Sequence, residues 1–152
     1  MDRLTHTDEA GQAKMIDVGD KAPQRRTARA EGFITLWSET LRLIREDRMK
    51  KGDVLTVAQL AGIQAAKRAA ELIPLCHTLT LENVDVQLTV DPRGVAAASE
   101  VRCTGKTGVE MEALTAVSVA LLTVYDMCKA VDRDMRIGEI RLIEKTKEDV
   151  AT

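Results

Sequence analysis

The sequence predicts an α+β fold, a ferredoxin-like sandwich with an antiparallel sheet and helices packed on one face. Three observations carry this. Element signals along the chain run strand, helices, strand, strand, helix, strand. Two alternating segments flank the turn Asp91, Pro92, Arg93, Gly94, which reads as a hairpin. Finally, 152 residues with 45% hydrophobic and 30% charged composition suit a single domain spanning the chain. Phe33, Trp37 and Tyr125 are the only aromatics. The core must therefore be built from Ala, Val, Leu, Ile and Met.

Residues 1–24 are polar, carry Gly11, Gly19 and Pro23, and read as a flexible arm. Residues 25–36 alternate loosely through Thr27, Phe33, Ile34 and Thr35 and are expected to form a strand. Ser38 is the expected N-cap of a first helix carrying Leu41, Leu43 and Ile44, and Gly52 closes that region. Asp53 is the expected N-cap of the next helix. There Val54, Val57, Leu60, Ala61, Ile63 and Ala66 recur at near-helical spacing, and Pro74 enforces a stop near Leu72 or Ile73.

Residues 74–78 then form a constrained loop. The hairpin follows, with Val84, Val86, Leu88 and Val90 on one strand and Val101 and Cys103 on one face of the other. A glycine-bracketed loop, residues 105–108, leads into a long helix over residues 110–131. Met111, Leu114, Val117, Leu121 and Cys128 lie near one face of it. Residues 132–138 break that helix, and residues 140–143 read as the last strand.

Composition excludes several classes. The net charge of −2 gives no basic field, and stacking aromatics are missing, so a general nucleic-acid partner is not expected. Cys76, Cys103 and Cys128 are odd in number and show no paired spacing, which speaks against a disulfide framework or a cysteine-based zinc site. No apolar run opens the chain, and the longest apolar stretch, residues 116–124, is interrupted by Ser118 and Thr123. No membrane partner and a cytoplasmic location are expected.

Three segments hold reactive groups that a fold alone does not require. Leu75, Cys76 and His77 sit on a loop stiffened by Pro74. His77 suits general acid–base work or phosphate binding, though a loop histidine can equally have no duty. Glu110 and Glu112 flank Met111 at a helix start. The macrodipole favours acids there, but ionised carboxylates also accept hydrogen bonds from a guanine-like base. A hard-metal site is conceivable, yet two such carboxylates do not define one. Asp126 and Lys129 are helix neighbours at i, i+3, either a surface ion pair or an acid–base couple. Lys50 and Lys51 add a basic patch before Gly52.

The runs LIPLCHTLTL (residues 72–81), TGKTGVEMEALTA (104–116) and VYDMCKA (124–130) together resemble the cyclic pyranopterin monophosphate synthase family, also called molybdenum cofactor biosynthesis protein C. KGDV (51–54), AGIQAAKR (61–68), LTH (4–6) and MIDV (15–18) fit the same pattern. The resemblance spans nearly the whole chain. It implies a lyase converting 3′,8-cyclo-7,8-dihydro-GTP to cyclic pyranopterin monophosphate and pyrophosphate.

Carried over by motif, Lys51, Asp126 and Lys129 are the implied catalytic residues. Leu75, Cys76, His77, Glu110, Met111 and Glu112 are the implied substrate-binding residues, with Arg26 and Lys21 bringing positive charge to the triphosphate. Proton transfers and a departing pyrophosphate suit lysines, and no redox cofactor is called for. Magnesium could accompany the triphosphate, but no resident metal site is expected. Two departures stand out: Thr78 follows His77 where the family usually has proline, and the chain ends without the family's glycine- and lysine-bearing tail.

A noncatalytic nucleotide-binding module on the same sandwich is the competing reading, and a catalytically silent homologue with a structural role is a third. Neither needs the set Lys51, Asp126 and Lys129. The resemblance further implies a homo-hexamer, a trimer of dimers. Spacing supports a site shared between subunits. Glu112 and Asp126 are 14 positions apart on one expected helix, about 21 Å along its axis. One compact ligand would not span that within a subunit.

Overall fold

Alternation along residues 24–35 becomes real alternation of burial: Ala28, Ala30, Gly32 and Ile34 point inward, while Arg25, Arg29 and Thr35 face solvent. The computed structural model describes residues 7–151. The elements are β1 (Gln24–Thr35), α1 (Ser38–Arg45), α2 (Val54–Ala66), α3 (Ala69–Leu72), β2 (Leu81–Asp91), β3 (Gly94–Gly105), α4 (Glu110–Cys128) and β4 (Arg136–Asp149). The four strands form one sheet in the order β2-β3-β1-β4. Every pairing is antiparallel. This is the expected ferredoxin-like α+β arrangement, with α4 lying over β1, β3 and β4 and α2 beside it over β2.

Small residues explain how a core with few aromatics closes. A Cβ on Gly32 would come within 2.8 Å of Val117 and 2.9 Å of Leu121, so β1 is bare where α4 crosses it. Gly62 does the same between helices: a Cβ there would lie 2.9 Å from the Ala116 carbonyl oxygen. Val86, Val95, Val101, Val117, Leu121 and Val124 fill the space between the layers. The polar interruptions of α4 are absorbed locally. Ser118 and Thr123 hydroxyls donate to the carbonyls of Leu114 and Val119, each at 2.8 Å. α4 is long and apolar enough to cross a bilayer by length and composition, yet it is the central core helix, with Ala113, Ala116, Val117, Ala120, Leu121 and Val124 buried.

Several boundaries differ from the sequence reading. Ser38 is the first residue of α1 and not its cap. Trp37 holds the N-cap position and offers no side-chain bond. The Trp37 N–H instead donates to Asp132 Oδ2 at 2.7 Å, across 95 positions of sequence. Asp53 caps α2 as expected, accepting from the Thr56 N–H at 3.1 Å. The helix expected to run on to Pro74 breaks at Lys67 and Arg68, which stay exposed while Ala69 turns inward to open α3. Val57 and Leu60 remain 42% and 59% exposed, off the core face the spacing suggested for them.

α4 stops at Cys128, three residues early. The N–H groups of Val131 and Asp132 both fold back onto the Cys128 carbonyl. β4 is far longer than residues 140–143. Its charged part pairs along β1 at the sheet edge, where one side of the strand lacks a neighbour and charge is favoured.

Candidate active site

The loop before α4 and the loop after α3 meet over the start of α4. A cavity of about 190 Å³ is lined there by Leu75, Cys76 and His77, by Glu110 and Met111, by Lys21, and by Ile16, Val18, Thr107 and Gly108. Six of the substrate-binding residues implied by sequence are thus brought together. The segment preceding β1 closes one wall. His77 Nε2–H donates to the Ile16 carbonyl at 2.7 Å. A carbonyl only accepts, so Nε2 carries a proton, and in the neutral ring Nδ1 is the free acceptor. Lys106 Nζ donates to the Gly19 carbonyl at 2.5 Å, tying the same segment to the glycine-bracketed loop. Residues 15–18 (MIDV) belong to this wall, whereas the LTH run lies outside the described residues.

A second cavity, about 230 Å³, adjoins the first and shares Gly108 and Glu110 with it. Arg26, Lys145 and Lys147 converge on it beside the start of α4, whose N-cap residue Val109 supplies no side-chain bond. Cations and a helix N-terminus together favour a phosphate. Arg26 Nε is buried and unpartnered, and its Nη2 donates to the Lys106 carbonyl at 3.3 Å. Arg26 therefore lies in the basic cavity and Lys21 in its neighbour. Lys145 also pairs with Glu110 at 3.4 Å, bridging the two.

Sequence reasoning missed Lys145 and Lys147. Their i, i+2 spacing puts both on one strand face, and the register sets them beside Ala28 and Arg26. That signal was available only if the final strand extended past Ile143.

Glu112, two residues on from Glu110, points inward. It is 3% exposed and does not line either cavity. Its Oε1 accepts from the Cys76 thiol at 3.8 Å, and Oε2 is buried without a partner. Burial is the largest cause that raises its pKa, and nearby Glu110 adds to it. The same environment pushes the Cys76 thiol up to about 11, through burial first and then the Glu112 charge. Cys76 is held as a thiol, which suits a lining group and not a nucleophile.

The remaining three residues form a second group at the far end of α4. Asp126 Oδ2 pairs with Lys51 Nζ and Oδ1 with Lys129 Nζ, each at 2.8 Å. Lys51 Nζ also donates to the Asp126 backbone carbonyl at 3.1 Å. Hydrogen bonds from Lys129 and then Lys51 hold the Asp126 carboxyl down at about 2, and Asp126 in turn raises Lys129. In this arrangement Asp126 is an anion orienting two ammonium groups.

α4 is unbroken from Glu110 to Cys128. The two groups therefore sit near opposite ends of one helix, about 21 Å apart along its axis from Glu112 to Asp126. Among the described residues, no group of three or more His, Cys, Asp or Glu side chains is placed to hold a metal.

Comparison with known proteins identifies the family. The model of the MoaC family matches residues 15–148. A cyclic pyranopterin monophosphate synthase of Methylobacterium nodulans is 63% identical over 148 residues, 96% of this chain and 92% of the relative. That of Chloroflexus aurantiacus is 61% identical over 144 residues, 93% of this chain and 88% of the relative. That of Heliobacterium modesticaldum is 57% identical over 148 residues, 96% of this chain and 93% of the relative. With the matched region running from the wall of the first cavity to the lysines of β4, the chain belongs to the MoaC family.

Proposed function

We infer that the protein is a cyclic pyranopterin monophosphate synthase, a lyase of molybdenum cofactor biosynthesis acting on a small-molecule GTP derivative. One observation carries the reading. A cavity with hydrogen-bonding groups suited to a purine-derived ring opens directly onto a basic cavity at a helix N-terminus. A cyclised guanine nucleotide presents that pair of chemistries, a polar ring system joined to a triphosphate. In this reading the ring lies against Leu75, Cys76, His77, Glu110 and Met111, and Glu112, which lines neither cavity, backs that wall through the Cys76 thiol. The triphosphate lies among Lys21, Arg26, Lys145 and Lys147, and any magnesium enters with it as part of the substrate.

The reaction needs protons moved between ring and sugar atoms, and it needs charge stabilised as pyrophosphate leaves. Lys51 and Lys129 are suited to both, because each ammonium donates protons and neutralises an oxyanion. Asp126 keeps both lysines aimed at one point. That point is too far along α4 from Glu112 for one subunit to serve a single ligand, which supports a site shared across a two-fold interface. The assembly proposed is a hexamer, a trimer of dimers, in the cytoplasm, without a nucleic-acid or membrane partner.

The test is turnover of 3′,8-cyclo-7,8-dihydro-GTP by the purified full chain, followed by release of pyrophosphate. Stoichiometric pyrophosphate and cyclic pyranopterin monophosphate are expected. Binding of the nucleotide without turnover would instead favour a noncatalytic nucleotide-binding module.

A further inference from the structure

We propose that Asp132 is a positioning residue: its buried side chain clamps α1 to the end of α4 and so holds Lys51 against Asp126. The inference rests on the reading of Lys51, Asp126 and Lys129 as the catalytic group.

Lys51 reaches Asp126 from an irregular segment that is anchored by buried Met49 on the α1 side and by Val54 at the start of α2. Residues 46–53 contain no helix or strand, and Asp47 and Gly52 take positive φ, 52° and 98°. The side chains of Lys51, Asp126 and Lys129 are 49%, 54% and 57% exposed, and exposed ion pairs impose little geometry.

Asp132 contrasts with all of them. It is 1% exposed, and both its oxygens are used. Oδ2 accepts from the Trp37 N–H at 2.7 Å and from the Thr40 hydroxyl at 3.0 Å. Oδ1 accepts from the Asp134 N–H at 3.1 Å. The Asp132 N–H bonds the Cys128 carbonyl, so the carboxyl group is referenced to the last turn of α4. Two of its donors belong to the start of α1, whose buried Leu41 and Ile44, with Met49 beyond, seat the helix as one body leading to Lys51. A shift of α1 is therefore passed through Met49 to the segment that carries Lys51.

Local capping would satisfy the start of α1 without burying a distant carboxyl group. A Ser or Asp at position 37 could do it, yet Trp37 stands there. Among the described residues, Lys51 with Asp126 and Trp37 and Thr40 with Asp132 supply the side-chain hydrogen bonds joining residues 37–53 to residues 126–134. One of these ties is exposed and reactive. The other is buried and fully satisfied, as a positioning contact should be.

The charged groups facing Asp126 are Lys51 and Lys129, with Tyr125 acting on Lys129. The titratable group facing Asp132 is the Cys128 thiol.

The experiment uses the full chain with Asp132→Asn, Thr40→Val, Lys51→Ala and the double variant Asp132→Asn/Lys51→Ala. Titration of the Asp126 carboxyl is followed by carbon NMR beside steady-state kinetics. Asp132→Asn should move the Asp126 titration upward, as Lys51→Ala does, and the double variant should move it no further. kcat should fall on the order of tenfold, as a misplaced catalytic group costs, while KM stays near the wild-type value because the triphosphate is held at the other end of α4.

A folded Asp132→Asn protein with wild-type Asp126 titration and wild-type kcat overturns the proposal, even if it melts earlier. If Asp132→Asn does not fold, Thr40→Val decides on the same two readouts. Absence of turnover in wild type, or full activity in Lys51→Ala, would overturn the catalytic reading instead. The Asp126 titration would still decide the clamp.

Discussion

At the scale of single residues, the two carboxylates that matter most are tuned in opposite directions. Asp126 is depressed to about 2 by two ammonium groups. Its contribution to folding is therefore present above its ordinary value of 3.8 and is lost as pH falls through about 2. Since the group is exposed, that contribution is small and weakened by salt. An acidic limb in kcat above pH 4 should accordingly not come from Asp126 in the wild type. Substituting Lys51→Ala, Lys129→Ala or Asp126→Ala should each cut product formation by about a hundredfold or more with nearly unchanged melting, checked by pyrophosphate release and calorimetry.

Glu112 behaves in the opposite way, because burial raises it. The unfolded chain ionises first as pH rises, so stability is fully present below the ordinary value of 4.5 and declines as pH climbs through the folded value. Glu112→Gln should therefore narrow the difference in Tm between pH 4 and pH 7, while abolishing turnover. Cys76→Ser should be mild, since the thiol is protonated. A covalent adduct on Cys76 trapped during turnover would contradict this.

At the scale of elements, α4 acts as both core and ruler. Its close approach to α2 depends on Gly62, where a Cβ would meet the Ala116 carbonyl oxygen, Val86 and Ala120. Gly62→Ala should destabilise the fold by about 1–3 kcal/mol, read as a lower Tm with the active-site groups still in place. β4 supplies what the sequence left unread. Lys145→Ala and Lys147→Ala should raise KM more than they lower kcat, and the loss should deepen at low salt relative to high salt, where screening already weakens phosphate contacts.

Much of the chain was legible from pattern. Val84, Val86, Leu88 and Val90 alternate because one sheet face is buried, and Asp53 precedes its helix because an orphan N–H needs an acceptor. The tail after Ile143 was not legible. Solvent covers both the edge and much of the surface of that strand, so no hydrophobic alternation marks it. The start of α1 misled for a different reason, because its acceptor comes from Asp132 and not from Ser38.

At the scale of the whole molecule, the decisive fact is the separation of the two groups along α4. The two cavities sit at its N-terminal end and the Lys51, Asp126, Lys129 group near its C-terminal end. Two subunits related by a two-fold axis can bring unlike ends together, and each dimer would then carry two such sites. Mixing inactive Glu112→Ala with inactive Asp126→Ala protein should restore part of the activity, because a hybrid dimer assembles one site with both intact contributions. Subunit exchange shown by mass spectrometry without recovered pyrophosphate release would refute the shared site. So would a monomer, sized by ultracentrifugation at assay concentration, with full activity.

The sequence by itself determined the elements whose signals are local: the hairpin, the cap at Asp53, the long apolar helix and the motif residues on either side of it. It also determined family membership, because several runs occur in the right order across nearly the whole chain. Only the tertiary structure decided which of those residues meet. Leu75, Cys76, His77, Glu110, Met111 and Lys21 share a cavity because the α3–β2 loop folds over the start of α4. Arg26, Lys145 and Lys147 share another because β4 pairs beside β1. Asp132 reaches α1 because α4 ends three residues earlier than its apolar pattern suggests. Such contacts depend on strand order, register and helix length, which join residues as far as 125 positions apart and leave no periodic trace in the chain.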